Sequence, residues 1–243
     1  MGLQGMGYKV DIAFVIDATG SMGPIMDKMK AKALTLGDEI KDALKAANKE
    51  VSEMRLRVID FGDYATEGDA AVRQTDFFKI PEERADFEEA VKNIQYEYRG
   101  GDDPENALEA LFIAMDSDWV KIKPGVEKGR HIIVLMTDAY PLNLQERDGC
   151  ADYPSDDFPS DVNELQAIWD ERGGSQSADT KTTKLGYANR RLVLFAPEGK
   201  DGAGHSWDAV SAWENTTMTP VSSDNGLEGI DLSGIIAEIV RSC

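Results

Sequence analysis

A chain of 243 residues, 42% of them hydrophobic, is long enough for one large α/β domain or two small ones and can bury a real core, which argues against global disorder. A formal net charge of −19 argues against a nucleic-acid backbone or an anionic membrane as partner. Cys150 and Cys243 are too few for a disulfide framework, and no apolar run approaches the ~20 residues of a membrane span, so a cytoplasmic protein is expected.

Residues 1–8 read as a short Gly-rich, flexible lead, and one domain is expected over 9–243. Ile12 to Ile16 form a continuous apolar run, the pattern of a central strand buried on both faces. Asp17 stands where that strand should end, and Thr19 and Ser21 follow at alternate positions. Gly20 reads as a tight turn, and Gly23-Pro24 opens a helix. Ile25, Met26, Met29, Ala33, Leu36, Ile40 and Leu44 recur at helical spacing, predicting a helix over about 24–48 that stops at Asn48. Met54 to Phe61 predicts a second strand, with Gly62-Asp63-Tyr64 as the loop at its end. Ala70 to Ile80 alternates as a third strand, antiparallel at the edge.

Pro81-Glu82-Glu83 starts an acidic helix to about Ile94, and a polar loop from Tyr98 to Asn106 leads into a helix with the apolar face Ala107 to Met115. His131 to Thr137 is a further buried strand that also ends on an aspartate, Asp138. Turn formers and acids then predict a loop insertion over 141–160 beside the site. Beyond it come a helix from Val162 to Arg172, a polar connector over 173–183, and a strand from Arg191 to Ala196. A short helix opened by His205 and Trp207, a strand from Thr217 to Val221, and a closing amphipathic helix from Leu232 to Val240 complete the chain. This alternation predicts a doubly wound, mainly parallel six-stranded sheet with helices on both faces and one antiparallel edge strand. Ligands in such folds bind outside the carboxyl ends of the strands, where Asp17, Asp103 and Asp138 are expected to gather.

Carboxylates and hydroxyls converging on one sheet edge make a hard oxygen cluster, which suits Mg²⁺ or Mn²⁺ and suits zinc poorly. Each residue also has a plainer reading. An aspartate after a buried strand, such as Asp17 or Asp138 taken alone, often only caps the next helix. Asp63 lies at the same edge and is a further candidate, whereas Asp102 reads as a solvated loop residue. His205 reads as an ordinary surface or packing histidine, and His131 lies at the far edge, so no histidine metal cluster is expected. Cys150 reads as a free thiol, and Met22, Met26 and Met29 as core.

Asp17-Ala18-Thr19-Gly20-Ser21-Met22, the loop Gly100-Gly101-Asp102-Asp103-Pro104-Glu105 and the strand end Thr137-Asp138 together resemble a von Willebrand factor type A domain, over about residues 9–242. The resemblance implies a metal-ion-dependent adhesion site in which Thr19 and Ser21 ligate Mg²⁺ directly and Asp17 and Asp138 act mostly through bound waters. The family's loop threonine falls at Asp103. A carboxylate there either ligates and part-neutralises the ion, or points away and leaves the position to water. The implied function is non-catalytic: an intracellular, cation-dependent protein–protein contact in which the ion bridges to an acidic residue of the partner. Stand-alone bacterial and protist modules, including those linked to alpha-kinases, look most similar. They imply partners among kinase or phosphatase components of stress or conflict systems. The 141–160 loop would line the rim, and the closing helix could couple to the site as in the integrin relatives.

The rival reading is a Mg²⁺-dependent phosphatase of the haloacid dehalogenase-like type, with Asp17 as nucleophile. Against it, position 19 is a threonine where that family places a second aspartate. The long helix also follows the loop at once, which leaves no room for the usual flap.

Overall fold

The computed structural model describes residues 8–96, 104–123, 127–146, 150, 153–170, 185–186, 188–221 and 231–243. The lead over 1–7, the loop over 97–103 with Asp102 and Asp103, and the connector over 173–183 lie outside the described residues.

In chain order the elements are β1 (Tyr8–Asp17), α1 (Gly23–Ala46), β2 (Val51–Phe61), α2 (Tyr64–Glu67), β3 (Val72–Gln74), β4 (Phe78–Lys79), α3 (Arg84–Lys92) and α4 (Ala107–Met115). β5 (Lys128–Met136), α5 (Val162–Asp170), β6 (Arg190–Pro197), α6 (Asp208–Ser211), β7 (Thr216–Val221) and α7 (Leu232–Ser242) follow. The strands form one sheet in the order β3-β2-β1-β5-β6-β7, with β4 also paired to β2. β2, β1, β5, β6 and β7 are parallel, and β3 and β4 run antiparallel to β2.

The sheet therefore has seven strands where the alternation of the chain predicts six. The predicted third strand, Ala70 to Ile80, breaks in two at Thr75, Asp76 and Phe77. Thr75 causes the break. Its backbone N–H donates to the Val58 carbonyl while its hydroxyl accepts from the Val58 N–H, so a side chain replaces one rung of the backbone ladder.

β1 is the spine. Val10, Ile12, Phe14 and Ile16 point to one face, where α1, α3 and α7 cover them, and Ala13 and Val15 point to the other, towards α4, α5 and α6. A parallel strand covered on both faces explains why the run carries no polar alternation. α1 buries Met26, Met29, Leu36 and Ile40, and the chain leaves it at Asn48 with φ 61°, a left-handed conformation that Asn tolerates well. Because β1 is flanked by β2 on one side and β5 on the other, the connections reverse direction at its carboxyl end. That switch point separates Asp17 from Asp138.

Candidate functional site

Asp17 ends β1 and is fully buried. Its Oδ1 accepts from the Thr19 N–H at 2.9 Å, and its Oδ2 accepts from the Thr137 hydroxyl at 2.7 Å. The first bond is an Asx turn that carries the chain off the strand. One 3₁₀ turn over Gly20–Met22, closed by Met22 N–H on the Thr19 carbonyl at 3.2 Å, then feeds α1. This turn sets the Thr19 and Ser21 hydroxyl oxygens 3.2 Å apart, and Ser21 donates to Asp138 Oδ1 at 3.0 Å. The Thr137 hydroxyl also accepts from the Ala139 N–H at 2.9 Å, so it ties the end of β5 to the end of β1.

Gly20 corrects an expectation. A Cβ there meets nothing within 4 Å, and its backbone lies outside the left-handed region, so the turn does not need glycine. Gly23, which follows it, is the more crowded of the two, as a Cβ there would lie 3.2 Å from the Tyr96 ring.

The electrostatics are lopsided. Burial pushes the Asp17 carboxyl up to about 6, against the hydrogen bonds from Thr19 and Thr137. Burial also raises Asp138, opposed by the bond from Ser21. Among the described residues, no lysine, arginine or histidine forms an ion pair with either carboxylate. No three His, Cys, Asp or Glu side chains come together among the described residues as a metal-holding group, and the Thr19 and Ser21 hydroxyls are the oxygens that stand beside the carboxylates here. The oxygens suit a ligand set. Adjacent ligands on an octahedral ion with bonds of about 2.1 Å lie roughly 3.0 Å apart. The Thr19–Ser21 and Ser21–Asp138 separations of 3.2 and 3.0 Å are close to that.

The structure thus brings Asp17, Thr19, Ser21 and Asp138 together, whereas Asp103 lies outside the described residues. The described chain resumes beside the cluster: Glu105 N–H donates to the Tyr140 carbonyl at 3.1 Å and Leu142 N–H to the Glu105 carbonyl at 2.8 Å. Asp63 does not join. Its Oδ1 accepts from Ala65 N–H at 2.9 Å and its Oδ2 from the Thr66 hydroxyl at 3.0 Å, so it caps α2. His131 is at the opposite end of the sheet, its Nε2 2.8 Å from the Val120 carbonyl and its ring stacked on Trp119.

Two features escape the sequence reading. His205 is buried between carboxylates, with Nδ1 2.6 Å from Asp201 and Nε2 3.1 Å from Glu146. Burial opposes its charge, but the two acids outweigh it and raise its pKa. The spacing Asp201-x-x-x-His205 was the available signal. The 141–160 segment, in its described part, is a packed flap. Leu144, Tyr153 and Phe158 are buried, and the Tyr153 hydroxyl donates to the buried Glu109 of α4 at 2.5 Å. Burial pushes Glu109 up to about 7, and the Tyr153 bond works against this.

No family model and no curated protein matches the sequence. Solved structures do match it. The pilus adhesin SpaC from Lactobacillus rhamnosus GG, in an open conformation, aligns with a TM-score of 0.54 at 13% identity, over 98% of this chain and 30% of that one. A second form of the same adhesin gives a TM-score of 0.52, again at 13% identity, over 98% of this chain and 31% of that one. Proximal thread matrix protein 1 from the mussel byssus, in a structure with a zinc-occupied MIDAS motif, gives 0.44 at 16% identity over 97% of this chain and 46% of that chain. This chain spans less than half the length of each protein, and the byssus protein is too distant to bear on the fold. The likeness to the adhesin, together with the strand order, makes this a Rossmann-like doubly wound α/β domain.

Proposed function

We propose that this chain is a divalent-cation-dependent protein–protein interaction module of the von Willebrand factor type A kind. The observation that carries the reading is a fully buried aspartate, Asp17, held only by neutral donors beside a hydroxyl–carboxylate cluster at the switch point. Thr19, Ser21 and Asp138 hold Mg²⁺ or Mn²⁺ in this proposal, with Asp103 on the neighbouring loop as the further candidate. Asp17 is a positioning residue. Its two hydrogen bonds fix the Thr19 backbone and the Thr137 hydroxyl, so the oxygens of the two loops are held in place before any ion arrives.

The bound cation supplies a Lewis-acidic position for a carboxylate oxygen of a protein partner. Buried carboxylates that lack a counter-charge favour a cation, and few direct carboxylate ligands leave it able to accept another. The module has no catalytic role in this reading. A phosphatase nucleophile at position 17 needs an accessible oxygen, and both oxygens of Asp17 are engaged in a side chain with 0% exposure. The finer context, a cytoplasmic partner from a kinase or phosphatase system, rests on the family resemblance alone.

The test is calorimetric titration of Mg²⁺ and Mn²⁺ into chelator-stripped protein, beside Asp17→Ala and Asp103→Thr. Saturable binding that Asp17→Ala abolishes supports the reading. A change of tenfold or more in Asp103→Thr makes Asp103 a ligand, and unchanged affinity makes it a bystander. Absence of binding to the intact protein overturns the cation-dependent mechanism.

A further inference from the structure

Arg55 and Arg57 project from the same face of β2, but among the described residues only Arg55 forms an ion pair. Arg55 makes a bidentate pair with Asp11 through Nε at 2.9 Å and Nη2 at 2.5 Å. Arg57 is 5% exposed and has neutral partners, donating through Nη1 to the Ser117 hydroxyl at 2.6 Å and through Nη2 to Gln74 Oε1 at 2.8 Å. These use two of its five N–H donors, and its Nε is buried without a partner. Burial lowers its pKa, and the charge of Asp76 opposes this. A buried cation without its anion is costly, so it needs a reason.

Arg57 lines a cavity of about 510 Å³, within the size range of small-molecule sites. The cavity opens where the edge of the sheet is broken between β3 and β4. The break turns Phe77 inward over the guanidinium of Arg55 at 4.7 Å, that of Arg57 at 5.4 Å and the Trp119 ring at 5.1 Å. Phe112 of α4 provides a second aromatic wall. The mouth is different in character: Asp76, Asp116 and Asp118 all line the cavity and are exposed.

We infer that this cavity binds a small zwitterion whose carboxylate and ammonium are separated by an apolar spacer, the chemical class of an ω-amino acid. The carboxylate pairs with Arg57, the spacer lies between Phe77 and Phe112, and the ammonium faces the three aspartates. A simple anion is repelled at the mouth, and a simple cation leaves Arg57 without its counter-ion, so the two charges select together. The site is separate from the Asp17 cluster, and its occupancy does not depend on a metal.

The test uses the full chain and three probes that share one spacer: 6-aminohexanoate, hexanoate and hexylamine. The Arg57 Nε–H resonance is followed by NMR. The expected result is a saturable shift with 6-aminohexanoate, at least tenfold tighter than with either singly charged probe. Arg57→Gln should weaken 6-aminohexanoate at least tenfold. Asp116→Asn with Asp118→Asn tests the mouth without touching the buried charge, and should bring hexanoate close to the affinity of 6-aminohexanoate. Equal affinity for hexylamine and 6-aminohexanoate overturns the proposal. So does the absence of any saturable shift up to about 10 mM, where a ~1 mM site is nearly full.

Discussion

Asp11 and Asp17 lie on the same strand, both fully buried, near opposite ends of the sheet. Asp11 is balanced inside the protein, by the fork of Arg55 and by the Val120 N–H at 2.6 Å. Asp17 receives two hydrogen bonds from neutral groups and, among the described residues, no opposite charge. The first aspartate is a strut of the amino edge, joined there by His131 and Trp119. The second leaves a net negative site at the carboxyl edge, where folds of this class take their ligands. Burial alone does not distinguish a structural carboxylate from a functional one. In the proposed reading, the source of the compensating charge does.

The largest expected effect tests the balanced side. Asp11→Ala leaves the partly buried Arg55 without its carboxylate partner and should cost about 3 kcal/mol, read by urea denaturation in metal-free buffer. A loss below about 1 kcal/mol would mean that Asp11 is not the strut it looks. Asp17→Asn should behave in the opposite way. Because its folded pKa of about 6 lies above the usual 3.8, Asp17 lends metal-free protein stability that is complete below pH 4. That contribution is lost as the pH rises through 6. The difference is about 3 kcal/mol across that window, and Asp17→Asn should remove this part of the pH dependence. An unchanged stability–pH curve in the variant refutes the burial argument.

Next in size is the response to metal. Mg²⁺ at a hundredfold excess over its Kd should stabilise the intact chain by about 2.7 kcal/mol. The gain should shrink below about pH 6, where the proton competes for Asp17, and vanish in Asp17→Asn; thermal melts across pH decide this. The smallest effect on stability belongs to Ser21→Ala. Ser21 is exposed, so the metal-free fold should change by no more than about 0.5 kcal/mol, while Mg²⁺ affinity should fall at least tenfold in calorimetry. Equal Mg²⁺ affinity in Ser21→Ala removes that hydroxyl from the ligand set.

The fold was largely legible because its signals are local. The apolar run from Ile12 to Ile16, the helical spacing from Ile25 to Leu44 and the second run ending at Asp138 each declare their element without reference to the rest. The break in the third strand was not legible. The alternating pattern runs unbroken across Thr75, and the interruption depends on a hydroxyl meeting Val58, on another strand. The same limit hid Asp11, which reads as one polar residue in a strand until Arg55 pairs with it across the sheet. In the candidate site, Asp17, Thr19 and Ser21 are close in sequence and could be read as a group. Thr137 as the hydroxyl that secures Asp17 could not, because that contact spans β1 and β5.

The interrupted edge also limits how other chains can approach. β3 has three residues and β4 two, and they include the charged Arg73 and Lys79, so neither offers a long row of open backbone groups. At the opposite edge, β7 carries Pro220, which lacks an N–H to donate. Short strands, edge charges and proline are the devices by which proteins resist strand-to-strand aggregation. Among the described residues both borders of the sheet carry such devices, which favours recognition of a partner through side chains over extension of the ladder.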